Sequence, residues 1–421
     1  MTTTAQRLFG APAGTIDIGL IAVILLLVPV LGSGSAAITF ALALFGCITL
    51  AAERQLPDLP RPVLWTGAAF AAFFAAELLS ALVHWTGWIT LGEIGENLPF
   101  LALLPFYALI RLRRSTLLAG LLGAAPWCAF AALAFALFQL VVYDLRPQGG
   151  AGNAGIFAVS VAVLFSYTLV NLANERRPVW MAIAGAGVLA AATTLILSGT
   201  RAQWPCLLLF PAILWVTTAR IAQDTRTRRA MLIGLGVILV ASFALAGSFR
   251  EAWRGAMADI EAVQTEANYQ SRLGKRFVVW QVGLEAAAEK PILGHGLDSP
   301  RRLMTERTAA IGGIPTIFNH FHNVVLNEMA RAGIVGTLAL LSMLAVPFLA
   351  AAFARKDRIA AQGFGLLACF HATFALSGAV NIMLDHDIMD ALFLACTAIC
   401  LFFVFGKGDD RPAAAAVRPD G

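Results

Sequence analysis

The residues best suited to chemistry begin at His322, where a long polar segment meets an apolar run. This junction predicts that His322 and Asn323 lie at a helix start on a membrane surface. Because an α-helix turns by about 100° per residue, Met329, Gly333 and Gly336 return to the face of the imidazole. An imidazole exchanges a proton near neutral pH, and glycines let another helix approach closely. The pattern predicts a proton-transfer group above a close helix contact; an ordinary interfacial helix with packing glycines has the same pattern.

Three arginines are predicted on the same membrane side as His322. Arg201 lies between two apolar runs with almost no loop between them, which places it at the membrane boundary. A permanent charge costs on the order of 3 kcal/mol at the centre of a span and less at its end. Arg272 and Arg276 lie four residues apart on one face of a predicted loop helix, with Trp280 one turn further. Guanidinium forks suit phosphate oxygens, so together the arginines predict a cationic site. Each alone is typical of a lipid-facing arginine or a solvated helix face.

A second set of polar residues lies inside the apolar runs and is interpreted as structural pairing. Glu77 and His84 are seven residues apart, and Glu328 and Arg331 are three apart, so each pair shares a helical face. The triplet Asp385–Asp387 resembles the paired carboxylates that hold a metal in some glycosyltransferases, but so short a triplet is common. We therefore predict no metal site and no cofactor. His371 and Asn381 complete the set.

The composition indicates a membrane protein. Of the 421 residues, 59% are hydrophobic and 13% are charged, whereas about a quarter of an average soluble domain is charged. The net charge of +5 is therefore attributed to basic cytoplasmic loops, not to nucleic-acid binding. All six cysteines fall in apolar runs, which argues against disulfides. Cys396 and Cys400 share a helix face, but packing is favoured over a metal pair because neither has a further ligand nearby.

The predicted fold is all-α, a polytopic integral membrane protein with about twelve transmembrane helices and one long, partly helical loop. A span needs about 20 mostly apolar residues, and a bilayer forces such segments to be helical. Residues 1–247 are predicted to hold helices 1–9, residues 248–321 the loop domain, residues 322–406 helices 10–12, and residues 407–421 a disordered tail. The predicted span centres are Val23, Leu44, Phe74, Leu104, Ala132, Val161, Gly187, Leu209, Ile238, Leu340, Leu367 and Ala395.

Basic residues in alternate connections predict the orientation. They are concentrated near residues 54–61, 111–114, 176–177, 220–229 and 355–358, whereas the opposite connections hold little besides Arg146 and Arg201. Both termini are therefore predicted to be cytoplasmic, with the long loop on the outer side. Within that loop, residues 250–263 have the pattern of an interfacial helix, and a second helix is predicted to start near Tyr269.

The stretch from His322 resembles the O-antigen ligase family of bacterial inner-membrane proteins, which also includes O-antigen polymerases. The ligase motif of that family is a His followed by Asn, Ser or Gln, nine arbitrary residues and then Gly-x-x-Gly. His322, Asn323, Gly333 and Gly336 have this spacing without a gap. The motif is moderately specific for this family by itself. It is more specific when two further segments of the family pattern are also present.

Those two segments lie upstream of the motif. Ser198–Arg201 resembles the arginine-bearing turn of the family, with Thr200 where members often have serine, so the hydroxyl is retained. The stretch Arg276–Trp280 followed by Pro291–Gly296 resembles the Arg-x-x-x-Trp and Pro-hydrophobic-Leu-Gly-x-Gly patterns of the family loop. The three segments occur in the expected order and on the expected membrane side.

The resemblance implies a GT-C-like membrane fold and transfer of a glycan from undecaprenyl diphosphate to the lipid A core oligosaccharide. The reaction would take place on the periplasmic face of the bacterial inner membrane, among membrane lipids and without a metal. We expect Arg201 and Arg276 to bind the diphosphate, with Arg272 assisting, and a neutral His322 to act as general base with inversion at the anomeric carbon. The residues assigned to the motif and to packing are Asn323, Gly333, Gly336 and Trp280.

Three alternatives stay open at this point. A polymerase would keep the chemistry but join one lipid-linked repeat to another, making O-antigen or exopolysaccharide. A transporter of lipid-linked glycans or small solutes often has about twelve spans, but its polar residues lie at mid-depth rather than on one membrane side. A structural scaffold gives no reason for the placement of the arginines and the histidine. The oligomeric state is not predicted.

Overall fold

The computed structural model describes residues 13–53, 58–218, 236, 246–313, 318–354 and 357–406. Within these ranges the chain is helical and contains no strand, which confirms the predicted all-α class. Three short 3-10 turns occur at Leu98–Ala102, Gly149–Ala151 and Arg201–Gln203. The α-helices are α1 (Ala13–Leu25), α2 (Val28–Leu31), α3 (Ser33–Glu53), α4 (Arg61–Val83), α5 (Trp88–Asn97), α6 (Leu103–Leu109), α7 (Arg114–Tyr143), α8 (Ala154–Asn174), α9 (Pro178–Leu197), α10 (Cys206–Thr218), α11 (Ala246–Glu266), α12 (Arg272–Glu289), α13 (Ser299–Gly312), α14 (Val324–Phe353), α15 (Arg358–Gly378) and α16 (Asp387–Phe405).

Eight described helices are long and apolar enough to cross a membrane, which confirms the polytopic class. They are α3, α4, α7, α8, α9, α14, α15 and α16. The predicted spans centred on Val23, Leu104 and Leu209 fall on the shorter helices α1, α6 and α10. The predicted span centred on Ile238 lies outside the described residues. The count of twelve therefore stays a prediction.

The core of the bundle lies around α16. In α16, 94% of the most apolar window is buried, against 28% in α3, so other helices enclose α16 on all sides. Phe393 of α16 packs against Phe70 of α4 and against Phe370 and Phe374 of α15, with ring centroids 5.4 to 5.6 Å apart. These contacts hold α4, α15 and α16 together beneath the end of the bundle where His322 lies.

The basic connections predicted on one membrane side meet at one end of the bundle. The guanidinium of Arg114, the first residue of α7, pairs with Asp357 at 3.0 Å. Arg358 donates to the side chain of Asn174, the last residue of α8, at 2.6 Å. The connections before α7, after α8 and before α15 therefore lie together, as the alternation of charge predicts. We call this the basic end and the opposite end the histidine end.

The long loop contains the two predicted helices and one more. α11 covers the predicted interfacial segment. α12 begins at Arg272, three residues after the predicted start, because the Ser271 hydroxyl accepts the N–H of Gly274 at 3.0 Å and caps the helix. α13 was not predicted. The boundaries of the predicted loop domain stay a prediction. A small apolar core joins α12 and α13 to α14 through Val279, Val282, Ala286, Leu303, Met304, Phe321 and Ala330.

α14 is broken at Gly333, so the predicted continuous helical face is wrong. Gly333 has φ +64° and ψ −156°, a conformation that glycine adopts readily. A Cβ at Gly333 would lie 2.3 Å from the Ile292 carbonyl oxygen, and one at Gly336 would lie 2.2 Å from a carboxylate oxygen of Glu328. The 20 residues after the break extend about 30 Å, the thickness of a bilayer core. The first nine residues, Val324–Ala332, form a separate piece that carries most of the polar groups of α14.

Candidate functional site

The break in α14 receives the turn that follows α12, residues 291–296, which we call the docking turn. A break leaves backbone groups without helical partners, and buried groups of this kind need a substitute. The N–H of His295 donates to the Ala330 carbonyl at 2.8 Å, and the N–H of Ile334 donates to the carbonyl of Pro291 at 2.8 Å. The glycine of the motif therefore admits a loop rather than a helix.

A glycine in the docking turn and a serine in α4 complete this contact. Gly294 has φ +65°, and a Cβ there would lie 2.5 Å from the Arg331 carbonyl. The Ser80 hydroxyl lies 2.9 Å from the Leu293 carbonyl oxygen and 2.7 Å from that of Arg331, within donating distance of both. The family-like Pro-hydrophobic-Leu-Gly-x-Gly segment and the Gly-x-x-Gly of α14 thus form one backbone interface, held by α4.

His322 lies immediately before α14, as predicted, and its backbone is strained. Asn323 is the N-cap: its side-chain oxygen accepts the N–H of Leu326 at 2.9 Å, and its amide donates to the Ala379 carbonyl at 3.2 Å. His322 has φ +51°, a region that costs a non-glycine residue roughly 1–3 kcal/mol and often marks a functional position. Phe321 beside it is fully buried and anchors the segment.

A second histidine, His320, for which no role was predicted, lies against His322. The Nε2 atom of His320 is 3.1 Å from Nδ1 of His322 and 3.2 Å from the side-chain oxygen of Asn381. Its Nδ1 atom is 2.7 Å from the side-chain oxygen of Asn319. The signal in the sequence was two histidines two residues apart before a helix start. Only the bent backbone at His322 brings their rings together.

Both histidines are neutral at pH 7. Burial is the main reason that the pKa of His322 falls to about 4; the His320 ring and the Arg276 guanidinium lower it further, and a hydrogen bond with Asn381 opposes them. Burial likewise lowers the pKa of His320, with Asn381 raising it and Arg276 lowering it. From the sequence we expect the ordinary pKa of about 6.5 for His322. Because its pKa in the structure is about 4, the imidazole stays neutral over a wider pH range than that ordinary value predicts.

Arg276 is the predicted arginine that the structure brings to the histidines. Its charge acts on both rings, and its partial burial lowers its own pKa. Among the described residues it makes no ion pair. On the same helix, the ring of Trp280 packs edge-on against Phe277, with centroids 5.9 Å apart. Arg272 is the first residue of α12, and its side chain lies outside what the structure describes.

Arg201 lies at the histidine end, on the 3-10 turn after α9, and is exposed. The Thr200 hydroxyl donates to the Ala154 carbonyl at 2.9 Å, and the next residue, Gly155, lies beside Asn381. Contacts thus lead from the Arg201 turn to the histidine pair. No hydrogen bond or ion pair between described residues joins Arg201 to the histidines. The turn is held by Arg146, for which no role was predicted and which donates to the Ser198 carbonyl at 2.6 Å.

Arg331 has carboxylate partners other than the predicted one. It is only 2% exposed, and its guanidinium pairs with Glu77 at 3.0 Å, with Glu93 at 3.8 Å, and with Asp385. No ion pair between Arg331 and Glu328 is formed, although their spacing predicted one. The partners come from α4, α5 and the turn before α16, so only the folded bundle brings them together. Asp387 instead contacts His386 at 2.9 Å, so the two aspartates of the triplet have separate partners.

An apolar groove of about 1150 Å³ runs along α14 between α12 and α15. Its upper end lies at Asn323 and Ala379, next to His322, and its lower end lies at Phe348 and Leu349. Trp280 lines the upper part. An apolar cavity beside the histidines is thus open along the membrane-spanning part of the helix.

Residues 186–341 match the family described as O-antigen ligase. This match confirms the O-antigen ligase resemblance. The matched segment contains Arg201, Arg276 and His322, together with the docking turn and the break in α14. Members of the O-antigen ligase family are membrane enzymes of glycan assembly, and the match supports an O-antigen ligase-like or polymerase-like role in membrane glycosyl transfer.

A relative from Haemophilus influenzae, described only as an uncharacterized protein, is 23% identical over 285 residues. The alignment covers 66% of this chain and 70% of the relative. It extends the similarity beyond the O-antigen ligase segment but adds no activity.

Proposed function

We propose that the protein is an O-antigen ligase of the bacterial inner membrane. It transfers a glycan from undecaprenyl diphosphate to the lipid A core oligosaccharide on the periplasmic face. The observation that carries this proposal is the partly buried Arg276 beside two neutral histidines, at the mouth of an apolar groove. The matched O-antigen ligase segment supports it because Arg276, both histidines and the α12 wall of the groove lie within that segment.

The diphosphate binds at Arg276. A guanidinium without a carboxylate partner keeps both of its N–H edges available, and a bidentate fork suits phosphate oxygens. Partial burial strengthens that interaction because less water screens it. Arg201 adds a second, exposed guanidinium from the neighbouring turn, and Arg272 a third from one helical turn before Arg276. Together they stabilise the charge that develops on the leaving diphosphate.

The isoprenoid chain of the donor occupies the apolar groove. The groove follows α14 from Asn323 past the break at Gly333 to Leu349. Its helical part after the break, residues 334–349, is roughly 24 Å long, which is most of the thickness of a bilayer core. Its wall is formed mainly by leucine, phenylalanine and alanine side chains. Burial of a hydrocarbon chain there removes apolar surface from water and holds the diphosphate at the histidine end.

His322 accepts the proton of the attacking hydroxyl. The acceptor oxygen forms a bond to the anomeric carbon as the bond to the diphosphate breaks, and the diphosphate leaves with the electron pair. In the His320–His322 contact only one nitrogen carries the proton. With that proton on Nδ1 of His322, Nε2 keeps a free lone pair for the hydroxyl proton. The diphosphate charge offsets that of Arg276 and raises the pKa of His322, so donor binding strengthens the base.

The test is reconstitution in liposomes, with lipid-linked glycan and core lipid A as the only partners. His322→Ala is expected to lower the transfer rate by about 10²–10⁴-fold, the usual contribution of a general base, and to leave donor binding intact. His84→Ala is the matched control, because among the described residues the hydrogen bond of its ring goes to the Ser80 carbonyl, and no hydrogen bond or ring contact joins His84 to His320 or His322. Transfer by His322→Ala at the native rate would show that His322 is not the base.

The same experiment separates the alternatives. Addition of a single glycan to core lipid A identifies a ligase, whereas extension of one lipid-linked repeat by another identifies a polymerase. Transfer without any ion gradient excludes a transporter. The proposed reaction uses arginines in place of a metal, so a chelator is expected to leave the rate unchanged.

A further inference from the structure

A polar cavity of about 700 Å³ lies beside the histidines, and we call it the acidic chamber. Its volume is within the range of roughly 300–1,000 Å³ typical of ligand sites. Charged side chains from α5, from the start of α13, from α14 and from the turn before α16 line it. They are the carboxylates Glu93, Glu96, Asp298 and Asp385 and the guanidinium groups Arg301 and Arg331.

The acidic chamber lies next to the proposed base, separated from the two histidine rings by Phe318 and Asn319. Phe318 and Asn319 both line it. The Phe318 ring lies edge-on against His322, with ring centroids 4.8 Å apart, and the Asn319 side chain is 2.7 Å from His320. The described lining includes neither Arg201 nor Arg276. The histidine pair therefore has the cationic donor site and the acidic chamber as two different neighbours.

The carboxylates of the chamber are only partly neutralised. Arg331 alone pairs with Glu93, Asp385 and the buried Glu77. Burial raises the pKa of Glu93; Arg331 lowers it, and the charges of Glu96, Glu77 and Asp298 raise it further. Among the described residues, the side chains of Glu96 and Asp298 take part in no ion pair. An excess of negative charge therefore faces the cavity.

A buried donor in the same wall is left without a partner. Arg331 is 2% exposed, and its Nε–H donates to none of the described residues. Buried N–H groups in native proteins nearly always have a partner, so an orphan in a cavity wall indicates a missing one. Carboxylates that accept hydrogen bonds, a guanidinium and an amide that donate them, and the Phe318 ring together suit a ligand rich in hydroxyl groups.

We propose that the acidic chamber binds the terminal sugar of the acceptor and selects a neutral or amine-bearing sugar against a phosphorylated or carboxylated one. This inference rests on the proposed function, because it names the acceptor class of the same reaction. An anionic sugar meets like charges at Glu96 and Asp298, which disfavours binding. The same charges keep the diphosphate of the donor out of the acceptor chamber and leave it at Arg276.

The test compares three core lipid A acceptors that differ only in the terminal sugar: glucose, glucosamine and galacturonic acid. The native protein is expected to use the first two and to show a kcat/KM about tenfold or more lower for galacturonic acid, through KM. The double variant Glu96→Gln/Asp298→Asn is expected to raise kcat/KM for the galacturonic acid acceptor about tenfold. The quantity that decides is the ratio of kcat/KM for the galacturonic acid acceptor to that for the glucose acceptor, which should rise about tenfold in this variant whatever the change in the glucose value.

Glu285→Gln/Glu306→Gln is the matched control. Both positions are exposed, on α12 and α13, and the change removes the same charge outside the chamber. Equal use of all three acceptors by the native protein, or no change of preference in the chamber variant, overturns the inference and leaves the proposed function standing. Failure of every acceptor overturns the proposed function instead. Equilibrium binding of the three acceptors to donor-free protein in nanodiscs then decides the selectivity of the chamber by itself.

Discussion

Arg331 and Arg276 lie near opposite ends of the short helical piece Val324–Ala332 and are used in opposite ways. Arg331 is 2% exposed and pairs with three carboxylates from three parts of the chain. Arg276 is partly buried beside two neutral histidines and has no ion pair among the described residues. A buried arginine that stabilises the fold is paired with carboxylates of the protein itself. An arginine that binds an anionic ligand has no such carboxylate, so its N–H groups can contact the ligand.

Arg331→Met is expected to have the largest effect on the stability of the protein. It leaves the buried Glu77 and the partly buried Asp385 without their cation, and removing one partner of a buried pair costs about 3–5 kcal/mol. We expect a large loss of thermal stability and of folded protein in detergent. Arg301→Met is the control, since Arg301 lines the same chamber but is exposed and should change stability by about 0.5 kcal/mol or less. Native stability of the Arg331 variant would show that the network does not hold the fold.

Gly333→Ala tests the backbone interface beneath Arg331. The new Cβ would lie 2.3 Å from the Ile292 carbonyl oxygen at a residue with φ +64°, so strain and overlap together are expected to cost about 2–4 kcal/mol. Gly313→Ala isolates the strain, because Gly313 has φ +60° and no neighbour within 4 Å; about 1–2 kcal/mol is expected there. Equal thermal shifts in the two variants would mean that the docking turn does not press on Gly333.

The sequence predicted what local signals determine. Hydropathy predicted the all-α membrane fold, and the junction of a polar segment with an apolar run at His322 and Asn323 predicted the start of α14. The break at Gly333 was missed because a regular helical period was assumed, whereas the glycine conformation depends on a turn about forty residues upstream. The partners of Arg331 were missed because Glu77 lies 254 residues away. His320 was missed because only the left-handed backbone of His322 turns the two rings toward each other.

Arg276→Lys tests the arginine that is proposed to bind the ligand. It keeps the positive charge but replaces the two-pronged guanidinium with a single ammonium group. Bidentate contact with the diphosphate is then lost, and we expect kcat/KM for transfer to fall about 10–100-fold with unchanged thermal stability. Lys275→Arg, one residue earlier on the same helix, should stay within about twofold. Full transfer by the Arg276 variant would mean that the fork is not used and that only its charge matters.

The smallest expected effect is on the pH dependence of kcat/KM, which should show no decline near neutral pH. A pKa of about 4 at His322 keeps the base form as pH falls, so kcat/KM, which reports the free enzyme, is expected to stay level from pH 8 to about 5.5 and to decline only near pH 4.

Because the Arg276 charge lowers this pKa, Arg276→Gln should move the acid limb to higher pH even though the variant is slower. Arg331 is not among the charges that act on His322, so Arg331→Lys should leave the limb in place. An acid limb near pH 6.5 in the native enzyme, or a limb that moves equally in both variants, would mean that the two arginines do not act separately on the site.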